Sequence, residues 1–445
     1  MSQDLIQSLQ STGVKFLRLV FCDNANIIRG KAIHLDILRN NIDFPVSITV
    51  AQQALPVMYD AVVSETGLSP IAEAWLTPDW HTLQILPYTP THARVMANIV
   101  YENQPWSLCP RHFLKQAIAE AENLGINIKA AFENEFTLFQ GNSDTLLPTD
   151  QTVFASTLSM DCNYQVIDEI TDALLAQGMI VERYYPESAY GQQEISIKYD
   201  EPFKCADHQI MFRETVHAVA MRNGLKASFM PKINSQQAGN GCHLHLSLWE
   251  GEKNITGQEK SKKKELSLQT QHFMAGILKH LPALMAFTTP STNSYRRIQP
   301  HCWSGAFTAW GYDNREAAIR VPINPIPPLV THFELKTCDA SANPYLALGA
   351  VIRAGLDGIR RQLPLAEEIN TNPASLSPEE MAQKSVKRLP KNLKEAIDRC
   401  QQDQDLITAL GEDFVKVYLA IRAAEWQAMK DLDLDGETDI LLQRY

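Results

Sequence analysis

HLHLSLW, residues 243–249, is the stretch on which the fold of this chain turns. Residues two apart on a strand share a face, so His243, His245 and Ser247 lie along one side and Leu244, Leu246 and Leu248 along the other. Three further segments repeat the pattern. AFENEFTLF (131–139) puts Glu133 and Glu135 together, EISIKY (194–199) aligns Glu194, Ser196 and Lys198 opposite Ile195 and Ile197, and FELK (333–336) pairs Glu334 with Lys336. Built into one sheet, these segments have an apolar back and a front of carboxylates and imidazoles. Two carboxylates buried on one face repel, and without a counter-ion one takes up a proton. A hard divalent cation such as Mg²⁺ or Mn²⁺ removes that conflict. Taken singly, each pair also fits a solvated surface.

Around this front the chain reads as an ordinary soluble protein. Its 445 residues have room for about three domain-sized units. A net charge of −11 argues against general binding to nucleic acid or an anionic membrane. Eight dispersed cysteines with no CxxC pair, and an N-terminus (MSQDLIQSLQ) unlike a signal peptide, fit reduced thiols in a cytoplasm. No apolar run approaches the roughly 18 residues that would span a bilayer.

Along the chain, a short first helix is followed by KFLRLVFCD (15–23) and NIIRGKAI (26–33), which read as paired strands joined at a tight Asp-Asn-Ala turn. Further β-leaning segments lie at 46–50, 81–86 and 93–101. Pro110 suits the first turn of a helix that Gly125 closes. Helices are then expected over 161–177, 207–222, 266–287, 344–359 and 412–429, alternating with the strands. The lysine-rich EKSKKKE (259–265) reads as a solvated loop and Asn370–Pro390 as a polar connector. Helices on the apolar back of a mainly antiparallel sheet give an α+β fold.

Other polar groups join the front. Glu187 and Glu194 bracket the turn PESAYGQQE, in which Gly191 permits a tight backbone. AGNG precedes His243, but no GxxxxGK[ST] phosphate loop occurs. Arg296, Arg297, Arg315 and Arg320 lie in 293–322, and Arg320 alternates with Ile319 and Val321 as a strand residue would. Arginines there suit a polyphosphate and a substrate carboxylate. Zinc-thiolate sites, a Ser-His-Asp triad and a dinucleotide fingerprint have no comparable support.

In this order, FENEF, PESAYGQQE, GNGCHLHLS, NSYRR…P, WGYDNREAAIRVP and FELKTCDASANPYLALGAVIRAGLDGI resemble the glutamine synthetase family, over nearly the whole chain and most specifically from about residue 105. The resemblance implies a β-grasp N-terminal domain (1–105) and a catalytic domain (106–445) with a two-ended funnel, ATP entering one mouth and glutamate the other. It implies that Glu135, Glu187 and Glu194 hold one divalent ion and Glu133, His243 and Glu334 a second. His245 and Ser247 fall at nucleotide-contacting positions, and Arg315 and Arg320 at phosphate-contacting ones. Arg297 matches the arginine on the glutamate α-carboxylate, with Gly239 beside it. The implied chemistry is phosphorylation of the γ-carboxylate by ATP and displacement of phosphate by an amine. A ring-shaped homo-oligomer, a dodecamer with sites between subunits, is implied as well.

The departures are as informative. Ammonia-using members carry a glutamate six residues after the glutamate-binding arginine; here that position is Trp303. The N-terminal domain should supply an aspartate from a DGSS-like motif, yet the region reads AQQALPVMYDAVV (51–63), with Asp60 a poor substitute. The family's arginine after the metal-binding glutamate is Lys336, and a nucleotide-side arginine is His332. The tyrosine that some relatives adenylylate has no counterpart in NPASLSPEE (372–380). With the metal set whole and the ammonium set altered, the expected product is a γ-glutamyl amide of a polyamine, ethanolamine or another primary amine. The alternatives are an ammonia-using glutamine synthetase, an enzyme taking another acid, and a non-catalytic protein of this fold.

Overall fold

A computed structural model describes residues 2–141, 146–258, 265–325 and 328–445. Two sheets organise it. The first begins after helix α1 (Ser2–Ser11) and contains β1 (Phe16–Cys22), β2 (Ile28–His34), β3 (Ser47–Thr49), β4 (Glu73–Ile85), β5 (His92–Tyr101) and β6 (Gln104–Pro105), with the short α2 (Leu35–Asn40) after β2. Its order is β2-β1-β5-β4-β3, with β6 on β5; only the β1–β5 pair is parallel. The expected β1–β2 turn is made by Asp23, whose carboxylate accepts the N–H groups of Ala25 and Ile27, with Asn26 in the left-handed region. β4 is far longer than the six-residue segment its sequence suggests. Its ladder shifts between Asp79 and Gln84, and an irregular strand has no clean alternation to read.

The second sheet holds the front. Helix α3 (Pro110–Glu122) leads into β7 (Asn127–Gln140); α4 (Thr157–Ala176) precedes β8 (Val181–Pro186) and β9 (Gln192–Ile197); α5 (Pro202–Arg222) precedes β10 (Leu225–Ser228), β11 (Cys242–Glu250) and β12 (Lys253–Asn254). After α6 (Leu268–Thr288) and the single turn α7 (Ser294–Arg297) come β13 (Trp310–Tyr312), β14 (Ile319–Val321), the hairpin β15 (Asn324–Pro325) and β16 (Pro328–Leu329), and β17 (Phe333–Leu335). The order is β13-β14-β17-β11-β7-β9-β8, antiparallel except for β13–β14. α8 (Pro344–Arg360), α9 (Pro378–Gln383), α10 (Leu393–Gln402), α11 (Gln404–Leu410), α12 (Glu412–Met429) and α13 (Leu434–Leu441) complete the chain. The apolar alternates Phe132, Phe136, Leu138, Ile195, Leu244, Leu246 and Leu248 are all buried.

Several local expectations change. α4 starts four residues earlier than predicted because Asp150 accepts hydrogen bonds from Ser159 and Asn163 and holds the first turns in place. The polar connector contains α9, which Ser377 and Glu380 cap reciprocally. Lys198 does not share the face of Glu194: β9 ends at Ile197, and Lys198 turns toward Cys205 and His208 of α5. Alternation binds only while the ladder lasts. Residues 259–264 of EKSKKKE lie outside the described residues.

The sheets are locked together through the β1–β2 turn. Asn26 donates to Ala340 O at 2.9 Å and accepts from Arg213 at 2.9 Å, while Asn343 reaches Asp23 O at 2.8 Å. On the other side, the Glu425 carboxylate of α12 accepts the Val57 N–H at 2.8 Å.

Candidate active site

Strand register assembles the polar front. Directly opposed residues of an antiparallel pair point to the same side. Glu133 lies opposite both His243 and Ser196, Glu135 opposite Glu194, His245 opposite Glu334, and Arg320 opposite Glu334. Five strands thus place their chemistry on one floor.

At its centre His243 Nδ1 is 2.9 Å from Glu133 and 3.2 Å from Glu334, and Nε2 is 3.8 Å from Glu135. One ligand atom each from Glu133, His243 and Glu334 can be chosen so that all three lie within 4.8 Å of one another, and among the described residues only this trio converges so closely. Glu334 is fully buried and is also 3.0 Å from Arg320 and 3.0 Å from Lys336. Burial opposes its ionisation, but Lys336 and His243 outweigh it and hold the carboxyl well below the usual range. Glu133 is likewise held down, against burial, by His243 and His245.

The second carboxylate set lies beside the first. Burial, then Glu133 and Glu135, push Glu194 up to about 10; burial and Glu135 push Glu187 up to about 7. Gln192 donates to Glu135 at 2.9 Å and to Gly239 O at 3.1 Å, and the Gly241 N–H reaches Glu135 at 2.9 Å. Buried like charge around one imidazole is a donor set that fits hard divalent cations. Glu133, His243 and Glu334 would hold one ion, and Glu135, Glu187 and Glu194 another.

Toward one end of the floor, Lys129, Ala131, Glu133, His245, Ser247, Trp249 and His332 line a cavity of ≈ 480 Å³. Trp249 Nε1 donates to Ser247 at 2.8 Å, Lys129 Nζ sits 4.4 Å over the indole, and His332 packs 5.3 Å from His245. Burial and His245 push His332 down to about 4, so it faces the cavity as a neutral ring. Lys129 and Trp249, which the sequence reading does not single out, reach this face by the same alternation.

Arg297 is buried, with Nη2 donating to the carbonyls of Thr337 (2.6 Å) and Cys338 (3.1 Å) and Nε left without a partner. Gly239 is required there: a Cβ would sit 2.3 Å from Pro231 O and 2.9 Å from Arg297 Cγ. Trp303 is 57% exposed, has a positive φ and donates its backbone N–H to the Glu316 carboxylate at 3.4 Å. Arg315 lies exposed before β14, and the described contacts do not tie it to the cluster. Asp60 is exposed and pairs with Arg29 at 3.1 Å.

Comparison with known proteins agrees with this geometry. Residues 107–439 match the family described as "Glutamine synthetase, catalytic domain". The chain is 34% identical to type-1 glutamine synthetase 1 of Dictyostelium discoideum, over 99% of this chain and 91% of that protein. It is 36% identical to the gamma-glutamylpolyamine synthetase GlnA3 of Streptomyces coelicolor, over 96% of this chain and 93% of that one. Among solved structures, ligand-free GmaS superimposes with a TM-score of 0.85 at 27% identity, covering 98% of this chain and 99% of that chain.

Proposed function

The chain belongs to the glutamine synthetase family of ATP-dependent carbon–nitrogen ligases, and from that premise we propose that it joins glutamate to an organic amine, giving a γ-glutamyl amide. Trp303 carries this reading. Where ammonia-using members have a proton-accepting glutamate, an exposed indole stands six residues beyond Arg297. An indole N–H only donates, so Trp303 takes a proton from neither ammonium nor an alkylammonium; what favours the organic amine is the indole face, which receives an organic cation or an apolar group. The polyamine named for the Streptomyces relative supports an organic acceptor, and the Dictyostelium relative makes ammonium the competitor to test.

The chemistry follows from the poor electrophilicity of a carboxylate. An oxygen of the glutamate γ-carboxylate attacks the γ-phosphorus of ATP, and ADP leaves. The amine, as free base after its ammonium form has lost a proton to solvent, attacks the acyl carbon; the C–O bond breaks, phosphate leaves with that oxygen, and a second proton passes from nitrogen to solvent to give the amide. Divalent cations, when bound, neutralise phosphate charge. Arg320 and Arg315 offer guanidinium donors to phosphate oxygens. Arg297, with its unpartnered Nε, is the residue for the glutamate α-carboxylate, and Gly239 leaves it room. Lys336 supplies a point charge without a bidentate fork. His245, Ser247 and the Trp249 ring face the nucleotide.

We also assign residues 1–105 and 106–445 to two domains of a cytoplasmic homo-oligomer, a dodecamer with sites between copies. Ile71, Trp75 and Ile85, exposed in or beside β4, support a covered face; light scattering should then give about twelve times 50.0 kDa. Among the described residues, no helix is long and apolar enough to cross a membrane.

The decisive assay is phosphate release from ATP with Mg²⁺, glutamate and a panel of amines including ammonium, with mass detection of the amide. Amide from an organic amine and little from ammonium is the expected result. Ammonium as the best acceptor would overturn the proposal.

A further inference from the structure

Trp303 sits at the tip of a short loop that is pinned at its base. Ser304 Oγ accepts the Gln299 N–H at 3.0 Å and donates to Gln299 O at 2.9 Å, and Arg388 donates to the carbonyls of Ile298 and Ala306, each at 2.7 Å. His301, Cys302 and Trp303 are left exposed, with His301 and Trp303 in the left-handed region. The foot of the loop rests on the segment that feeds the polar floor. A Cβ on Gly305 would sit 2.8 Å from Ala318 Cα, the Ala318 carbonyl accepts the Lys336 N–H at 2.9 Å, and Arg320 pairs with Glu334. The tip also comes within electrostatic reach of the lysine beside Arg297. Burial pushes Lys232 below its ordinary value; Cys302 opposes that shift and Arg297 adds to it.

One carboxylate meets this tip. Glu316, four residues before Arg320, accepts the backbone N–H of Trp303 at 3.4 Å through Oε1. That is a long bond, and among the described residues no lysine, arginine or histidine lies within ion-pair distance of Glu316. The side chain is half-buried, and the Glu316 N–H is held by Asn314 Oδ1 at 3.0 Å, which fixes where the carboxylate starts. A carboxylate without a cation, next to an exposed indole, is a pair suited to an alkylammonium: the oxygen takes a charge-assisted hydrogen bond and the ring face takes the rest of the cation. Counting along the sequence from Arg297 passes over this group. Glu316 is 13 residues beyond Trp303 and reaches the tip only in the folded chain.

We propose that Glu316 receives the organic amine: its carboxylate pairs with the alkylammonium beside Trp303 and takes the proton that the indole cannot. The inference rests on the γ-glutamyl-amide reading above and names the residue that gives the amine its nucleophilic form. One N–H bond of the ammonium breaks, its electron pair stays on nitrogen, and the proton moves to a Glu316 oxygen and from there to solvent. The free amine then attacks the acyl carbon.

The test uses the full-length protein with ATP, Mg²⁺, glutamate and four acceptors: ethanolamine, n-butylamine, 1,4-diaminobutane and hydroxylamine. The first three are ammonium ions at neutral pH and must lose a proton. Hydroxylamine is already a free base there, so its hydroxamate reports γ-carboxylate activation alone. Glu316→Gln keeps an amide oxygen for the Trp303 N–H and removes only the charge. With the best of the three organic amines its kcat/KM should fall by roughly a hundredfold, while hydroxamate formation stays within about twofold. Glu316→Asp, which keeps a carboxylate on a shorter stem, should lose roughly tenfold or less. An unchanged organic-amine kcat/KM in Glu316→Gln would overturn the inference. So would an equal loss in both reactions, which would make Glu316 a support of the loop. Hydroxamate without amide from any of the three amines would overturn it too, with γ-carboxylate activation left standing. Absence of hydroxamate from the unaltered protein would remove the ligase reading and this inference with it.

Discussion

The two ends of one strand face differ in kind. Before Glu135, β7 presents Lys129, Ala131 and Glu133 to a cavity that also holds His245, Trp249 and His332; after it, Thr137 and Phe139 face a cavity that no charged side chain lines among the described residues. The same backbone alternation serves both, so the difference resides wholly in side-chain chemistry. A polyphosphate with a purine-sized base needs cations and aromatic faces, which the first end supplies. The floor between them cannot be apolar, because transferring a phosphoryl group demands concentrated charge.

The sharpest way to break this division is at the floor. Glu334→Ala removes the carboxylate shared by His243, Arg320 and Lys336. Turnover measured by phosphate release should fall by roughly three orders of magnitude or more with every acceptor. Circular dichroism would check that the fold survives, and retention of activity with a folded protein would remove Glu334 from the site.

Trp303 tests the proposed choice of amine. Trp303→Glu adds a proton acceptor that serves either amine and removes the indole face that only an organic amine uses, so the ratio of ammonium to organic-amine kcat/KM should rise by roughly tenfold. No rise at saturating glutamate would mean that this loop does not set amine choice.

The nucleotide end predicts a smaller and more local effect. Trp249→Ala should raise the KM for ATP by roughly tenfold, the order expected for loss of an aromatic stacking face, and leave the amine KM in place. A shift in the amine KM instead would contradict the separation of the nucleotide end from the amine.

The smallest expected effect is a null one with diagnostic value. Trp249 pairs with Asn127, and Thr137 lies ten residues further along β7, roughly 33 Å away. The effects of Trp249→Ala and Leu147→Asp on kcat/KM should therefore add to within about 0.5 kcal/mol in a double-mutant cycle. A larger coupling would mean that occupancy of one cavity is felt at the other.

Much of this was legible in the residues. Period-two alternation needs only neighbours in sequence, so HLHLSLW, FENEF and FEL declared their polar faces before any pairing was known. Family motifs then implied metal-binding positions that alternation alone left open, whereas the helix that Ser377 and Glu380 cap lay inside a stretch read as a polar connector. Register belonged to the tertiary structure. That Glu133 meets His243 while Glu135 meets Glu194 depends on how distant strands align, and a shift of one residue would send each set to the opposite face. Lys198 shows the limit: its spacing promised the front, but β9 ends before it. The apolar cavity was invisible in the sequence because Phe139, Leu147, Tyr190 and Ile233 come from four segments with no shared period. Only the packing of those segments around Gly239, where a side chain larger than hydrogen has no room, brings them to one wall.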